Sequence, residues 1–146
     1  MALDLFDEIN NAVLDLQSAQ LQTYERPLKK LAQLLKHAEL EPYNDNLTAA
    51  LELDAFIAES EQTGGSFVGS RRLAWPAETE KCLGLTLLLI QKFGADPDYA
   101  CNFSHNFFYS GNKIIASIHS LTGQLIIPFV RDYKVYVQSK GNIHTM

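Results

Sequence analysis

Apolar residues recur three and four positions apart through the first half of the chain and nearly alternate through the second. The clearest helical stretch lies between these halves, at 75–98, WPAETEKCLGLTLLLIQKFGADPD. Its apolar residues, from Cys82 and Leu83 through Ile90 to Phe93, point in nearly every direction around a helical axis. A helix apolar all round is one buried on several sides. Pro76 suits a first helical position, and Glu78 and Glu80 suit the positive end of the helix dipole. Lys92 falls in the last turn, Gly94 suits the residue just past the end, and Pro97 stops continuation. The pattern predicts a buried central helix over 75–94.

Upstream, Leu5, Ile9, Ala12, Val13 and Leu16 make one face of a first helix over about 3–20. Leu28, Leu31, Leu34, Leu35 and Ala38 make the face of a second, opened or kinked by Pro27. Glu41-Pro42-Tyr43-Asn44-Asp45 reads as a turn. A third helix is expected from about Leu47 to Glu61, capped by Asp45 or Asn46 and apolar on two sides. Residues 62–74 read as an irregular connection rich in glycine and serine.

From Tyr99 the alternation predicts four strands, at about 100–109, 113–120, 124–130 and 134–138, in an antiparallel meander over 99–138. Gly111-Asn112 and Thr122-Gly123 have the composition of two-residue hairpin turns. With those turns, Phe103, His105, Phe107 and Tyr109 share an inner face with Ile114, Ile118, Leu125, Ile127, Phe129, Val135 and Val137. Phe108, Ile115, His119, Ile126 and Tyr136 then share the outer face. Pro128 fits a central strand poorly and would mark a bulge. The expected class is α+β: three N-terminal helices, a buried central helix, and a four-stranded β-meander packed on it. Residues 1–140 form one globular domain in this reading, with 141–146 a flexible tail. The topology is similar to the cone-shaped NTF2-like and cystatin-like folds, an analogy with no motif behind it.

Length and composition fit this reading. A chain of 146 residues, 47% apolar and 20% charged, can bury a real core without disulfides or metals. The apolar run from Cys82 to Ile90 is far short of the ~20 residues needed to cross a bilayer. The first residues, MALDLFDEIN, are acidic where a secretion signal would be basic. The expectation is a cytoplasmic protein without membrane contact. Cys82 and Cys101 then read as free thiols, and no ligand spacing or nucleotide loop implies a metal or other cofactor.

Charge is uneven. Residues 1–61 carry twelve acids against four bases, a net −8. That argues against nucleic-acid binding. It reads either as ordinary solvated helix faces or as a surface for a basic partner, with Glu52, Asp54 and Glu59 at its centre.

Three places could carry chemistry. Gly64-Gly65-Ser66 and Gly69-Ser70-Arg71-Arg72 could wrap an anion, or be a plain connection with two solvated arginines. His105 and Tyr109, with Arg71 and Arg72, could supply the polar groups of a pocket between sheet and helices; a lone histidine among aromatics is more often a core residue. The outer face of Phe108, Ile115, His119, Ile126 and Tyr136 is covered by the N-terminal helices, forms a subunit interface, or lines a pocket. No nucleophile can be matched with a base by spacing. The functional expectation is a non-catalytic intracellular interaction protein that self-associates. The alternative is a small-molecule-binding protein or small enzyme with its pocket between sheet and helices.

Overall fold

The computed structural model describes residues 2–49, 51–62, 73–109 and 113–145, with side chains described from Leu5 to Lys140 within those spans. Every regular element among them is helical, and none is a strand. The order is α1 (Ala2–Gln17), α2 (Glu25–Leu35), a 3-10 turn (Ala38–Leu40), α3 (Glu41–Thr48), α4 (Leu53–Glu61), α5 (Thr79–Ala95), α6 (Pro97–Phe107), α7 (Ile114–Leu121), a π-turn (Thr122–Ile126) and α8 (Ile127–Thr145). The α+β expectation and its kinship in topology with cone-shaped sheets are therefore overturned. The protein is all-α.

The helix at the centre is α5. It packs against α2, α3, α4, α6, α8 and the π-turn, and buries Leu83, Leu85, Leu87, Leu89, Ile90 and Phe93. It begins at Thr79, three residues past Pro76, whose carbonyl instead accepts the Cys82 thiol at 3.2 Å. Gly94 lies inside the helix and not beyond its end. A Cβ there would meet Ala32 of α2, so the glycine serves close approach between two helices. Pro97 opens α6 as its first residue, capped by Asp96, whose side chain accepts from the Tyr99 N–H at 3.3 Å.

The amphipathic faces of α1 and α2 are buried at Leu5, Ile9, Ala12, Val13, Leu16, Leu28, Leu31, Leu34 and Leu35. Ala38 lies exposed in the 3-10 turn. The expected turn at Glu41–Asp45 is instead the start of α3, with Pro42 in the first turn where its missing N–H costs nothing. The expected third helix is broken, with Ala49 and Glu52 extended between α3 and α4. Geometry explains the break. Leu47 and Phe56 are nine residues apart, so in one straight helix they would face opposite ways at ~100° per residue. The break lets both be buried.

The expected meander is instead α6 followed by one long helix. Phe103, Ala100 and Ser104 are the buried face of α6. From Ile114 the chain runs on as one helix, burying Ile118, Leu121, Leu125, Ile126, Phe129, Val130, Tyr133 and Val137 at spacings of three and four. Thr122-Gly123 lies in the π-turn, not in a hairpin; Gly111-Asn112 lies outside the described residues. Pro128 explains the π-turn. It has no N–H for the carbonyl four residues back, and its ring would collide with that carbonyl. Just before it the ladder widens, and the Ile127 N–H reaches Thr122 O, five residues back. The helix continues through Thr145, across most of the stretch read as a tail.

Several polar bonds fix the packing. Tyr133, fully buried, donates its hydroxyl to Asn44 Oδ1, and Asn44 Nδ2 donates to Leu35 O at 2.7 Å. Asn46 Nδ2 donates to the Tyr136 hydroxyl at 2.7 Å. His119 Nε2–H donates to Ala19 O at 2.8 Å, tying α7 to the segment that follows α1.

Candidate functional site

A concave surface with acids on one side and bases on the other lies between α1 and α2. Glu8, Asn11 and Asp15 recur at helical spacing along one wall of the cleft, and Arg26 and Lys30, one turn apart, form the other. The volume is about 520 Å³. The turn joining the walls is held by Thr23, whose Oγ1 accepts from the Gln20 N–H at 2.9 Å. Arg26, Lys29 and Lys30 continue onto a second concavity along the outer side of α2. Among the described residues these three cations form no salt bridge, and neither do Glu8 and Asp15. Opposite charges thus face each other across the cleft without meeting. Beside it, Leu14 is 59% exposed and Leu21 48% exposed.

The residues singled out from the sequence fall elsewhere. His105 and Tyr109 do come together, their rings edge to face at 5.1 Å, but at the end of α6 and not under a sheet. The His105 Nδ1 is buried and has no hydrogen-bond partner among the described residues. His105 lines a cavity of about 410 Å³ with Cys101, Asn102, Asn106 and Ile114. Arg71 and Arg72, with the glycine-rich segment, lie outside the described residues.

The proposed outer-face group is dispersed, because the sheet that united it does not exist. Ile126 is fully buried in the π-turn, and Tyr136 is buried with its hydroxyl bonded to Asn46. Phe108 and Ile115 pack partly buried against the core. His119 is engaged with Ala19. None of these five is among the exposed large apolar residues.

The two thiols are poorly disposed for nucleophilic work. The Cys101 thiol donates to the Tyr24 hydroxyl at 2.9 Å, which in turn donates to Pro97 O at 3.0 Å. Burial is the main force pushing the Cys101 thiol up, with Asp98 and Glu25 adding to it against the Tyr24 bond. Burial, then Glu78, pushes Cys82 up. A raised thiol pKa leaves little thiolate at neutral pH. Among the described residues no group of three or more His, Cys, Asp or Glu side chains is placed to hold a metal ion.

The cleft is not visible in the sequence, because nothing local shows that the acids of α1 and the bases of α2 lie side by side. One signal could have found it. Consecutive helices joined by a short loop lie side by side, so an acidic flank on the first and a basic flank on the second can border one groove.

By length and composition the helix at Ile114–Lys140, 27 residues, is long and apolar enough to cross a membrane. The strand reading cut that stretch into pieces and so concealed its length. No family model matches this chain, and no solved structure matches it. The chain is similar to the uncharacterized protein YuaY of Escherichia coli (strain K12), 49% identical over 140 residues that make up 96% of this chain and 46% of that protein. The chain thus spans just under half the length of this relative.

Proposed function

We propose that the protein is a non-catalytic interaction protein that self-associates through its α1–α2 hairpin. The observation that carries this is the pair of facing, unpaired walls, Glu8 and Asp15 against Arg26 and Lys30. Such a surface is self-complementary. Under a two-fold axis the acidic wall of one copy meets the basic wall of the other, and the reverse contact follows by symmetry. Leu14 and Leu21, exposed beside the charges, supply apolar contact that charge pairs alone lack. A second acidic surface on α4, with Glu52, Asp54 and Glu59 exposed, suits a further basic partner.

The long apolar helix fits a core role in this reading. Its apolar face is covered by α1, α5 and α6, and it carries Arg131, Asp132 and Lys134 midway along, where charge in a bilayer is costly. These features favour a core helix over a membrane span in this reading.

Sedimentation velocity with two charge-swapped variants tests the proposal. Glu8→Lys/Asp15→Lys makes both walls basic, and Arg26→Glu/Lys30→Glu makes both acidic. Each alone is expected to be monomeric, and an equimolar mixture is expected to form a heterodimer. The wild-type dimer should dissociate in ~1 M salt, where screening extends only ~3 Å. A wild-type monomer at low salt, or variants that associate as the wild type does, would overturn the proposal.

A further inference from the structure

A further concavity, apart from the hairpin surface and independent of it, lies where the π-turn passes α5. Its volume is about 370 Å³, within the usual range for small-molecule sites. The walls are apolar and aromatic: Leu83 from α5, Leu125 from the π-turn, Pro128 and Phe129 from α8, and Trp75 at the mouth. Trp75 is 37% exposed, and its ring leans on Phe56 at 4.9 Å, so one side of the indole is held. A π-turn is uncommon and recurs at functional sites. Here it carries Gln124 and Leu125 into the wall.

Two of the donors around the cavity are already engaged within the chain, while the Thr79 hydroxyl remains. The Cys82 thiol hydrogen is spent on Pro76 O at 3.2 Å, and the Thr86 hydroxyl hydrogen on Cys82 O at 2.8 Å. Gln124 Nε2 donates one hydrogen to Ser120 Oγ at 2.7 Å, leaving its Oε1 and its second N–H. The one formal charge among the lining residues is the Asp132 carboxylate. Arg131 Nε engages its Oδ1 at 3.1 Å, so Oδ2 remains. An open apolar concavity bordered by Trp75 and Phe129, with one carboxylate among its lining residues, matches a cation on a flat apolar body. The rings add attraction for that cation through their negative faces.

We infer that this cavity binds small arylalkylammonium compounds, the aromatic body between Trp75 and Phe129 and the ammonium at Asp132. Trp75 is the chain's one tryptophan, so its emission reports on the site without a label. The experiment titrates the intact chain with phenethylamine and, separately, with 3-phenylpropionate, which has a similar body and the opposite charge. Phenethylamine is expected to change Trp75 emission saturably, and 3-phenylpropionate is not. Asp132→Asn should weaken phenethylamine binding about tenfold, the loss of a contact to a charged group. Arg131→Ala, which removes the competing guanidinium from an exposed position, should tighten it. No saturable response to the amine, an equal response to the carboxylate, or affinities indifferent to both substitutions would overturn the inference.

Discussion

Replacing Gly84 by alanine tests the packing of α3 on α5, and replacing Gly123 tests the fold itself. Gly84 lies inside α5, and a Cβ there would run into the Leu47 carbonyl oxygen while standing 2.5 Å from Leu51 Cδ1 and 2.9 Å from Leu47 C. The first obstacle is backbone at the end of α3, and Leu47 is buried, so the neighbour has little room to yield. In an unobstructed helix the change would gain ~1 kcal/mol from propensity. Forcing atoms into a filled site costs ~1–3 kcal/mol, and more where backbone must move. The expected balance is a destabilisation of about 1–2 kcal/mol. At roughly 2–4 °C per kcal/mol for a chain of this size, Tm should fall by several degrees.

Gly123→Ala has the opposite expectation. Nothing stands within 4 Å of a Cβ built there, and Gly123 lies in a helical segment. The variant should gain up to ~1 kcal/mol. In a hairpin turn the same glycine would need a positive φ, and alanine would be strained. The sign at position 123 therefore separates the helical rod from the meander the sequence suggests. Urea unfolding measures both variants, with midpoints compared at unchanged slope. A Gly84→Ala protein as stable as the wild type would refute the seating of α3 on α5. A destabilised Gly123→Ala would refute the open helical setting of that residue.

Three further outcomes are expected. Burial, then Glu61 and Asp54, pushes the Tyr99 phenol up to about 12, and burial also raises Tyr24 and Tyr133 above the ordinary range. The neutral phenols favour the folded state, so their contribution is complete below the unfolded pKa of ~10 and is lost as pH climbs through the folded values. Tyrosinate absorbance should show a delayed fraction in native protein and one transition near pH ~10 in denaturant; a single native transition there would contradict it. Asn44→Leu strands the buried Tyr133 hydroxyl and the Leu35 carbonyl, and should cost about 2–3 kcal/mol, against about 1 for Tyr133→Phe, by chemical denaturation. Equal costs would mean that the two bonds are not linked through Asn44. Cys82 and Cys101 should alkylate slowly at neutral pH and rapidly once unfolded, as followed by mass spectrometry; fast native labelling of Cys101 would refute its bond to Tyr24.

The first two helices are legible because their apolar spacing admits only one period. Leu5, Ile9, Ala12 and Leu16 cannot share a face of a strand, and they are buried on α1. The second half is rich in β-branched and aromatic residues, which favour strands when nothing else decides. Phe103, Phe107, Ile118, Leu125 and Phe129 satisfy a period of two and a period near 3.6 almost equally. The two turn-like dipeptides then tipped the reading to a sheet. Val135 and Tyr136 break the tie. The sheet register put Val135 inside and Tyr136 outside, whereas Val135 is 61% exposed and Tyr136 is buried against Asn46. Only packing partners from the N-terminal half make that choice, and a local pattern does not contain them.

Pro128 carried the information that was available locally. A proline is as foreign to a central strand as to a helix interior, so it told against both continuous readings. The helix accommodates it by widening one turn, at the cost of a few ladder bonds. A meander would have lost a bond in the middle of its sheet, with no neighbouring donor to replace it. The burial of Leu125, Ile126, Phe129 and Val130 on both sides of the defect offsets the cost of the wide turn. The candidate sites follow the same division. The charged cleft is built from two helices whose faces the sequence predicts, and lacked only their juxtaposition. The cavity beside the π-turn depends on the misread half, with Leu83 and Trp75 meeting Leu125 and Phe129 across more than forty residues of chain. It becomes visible only when the proline is placed in a helix.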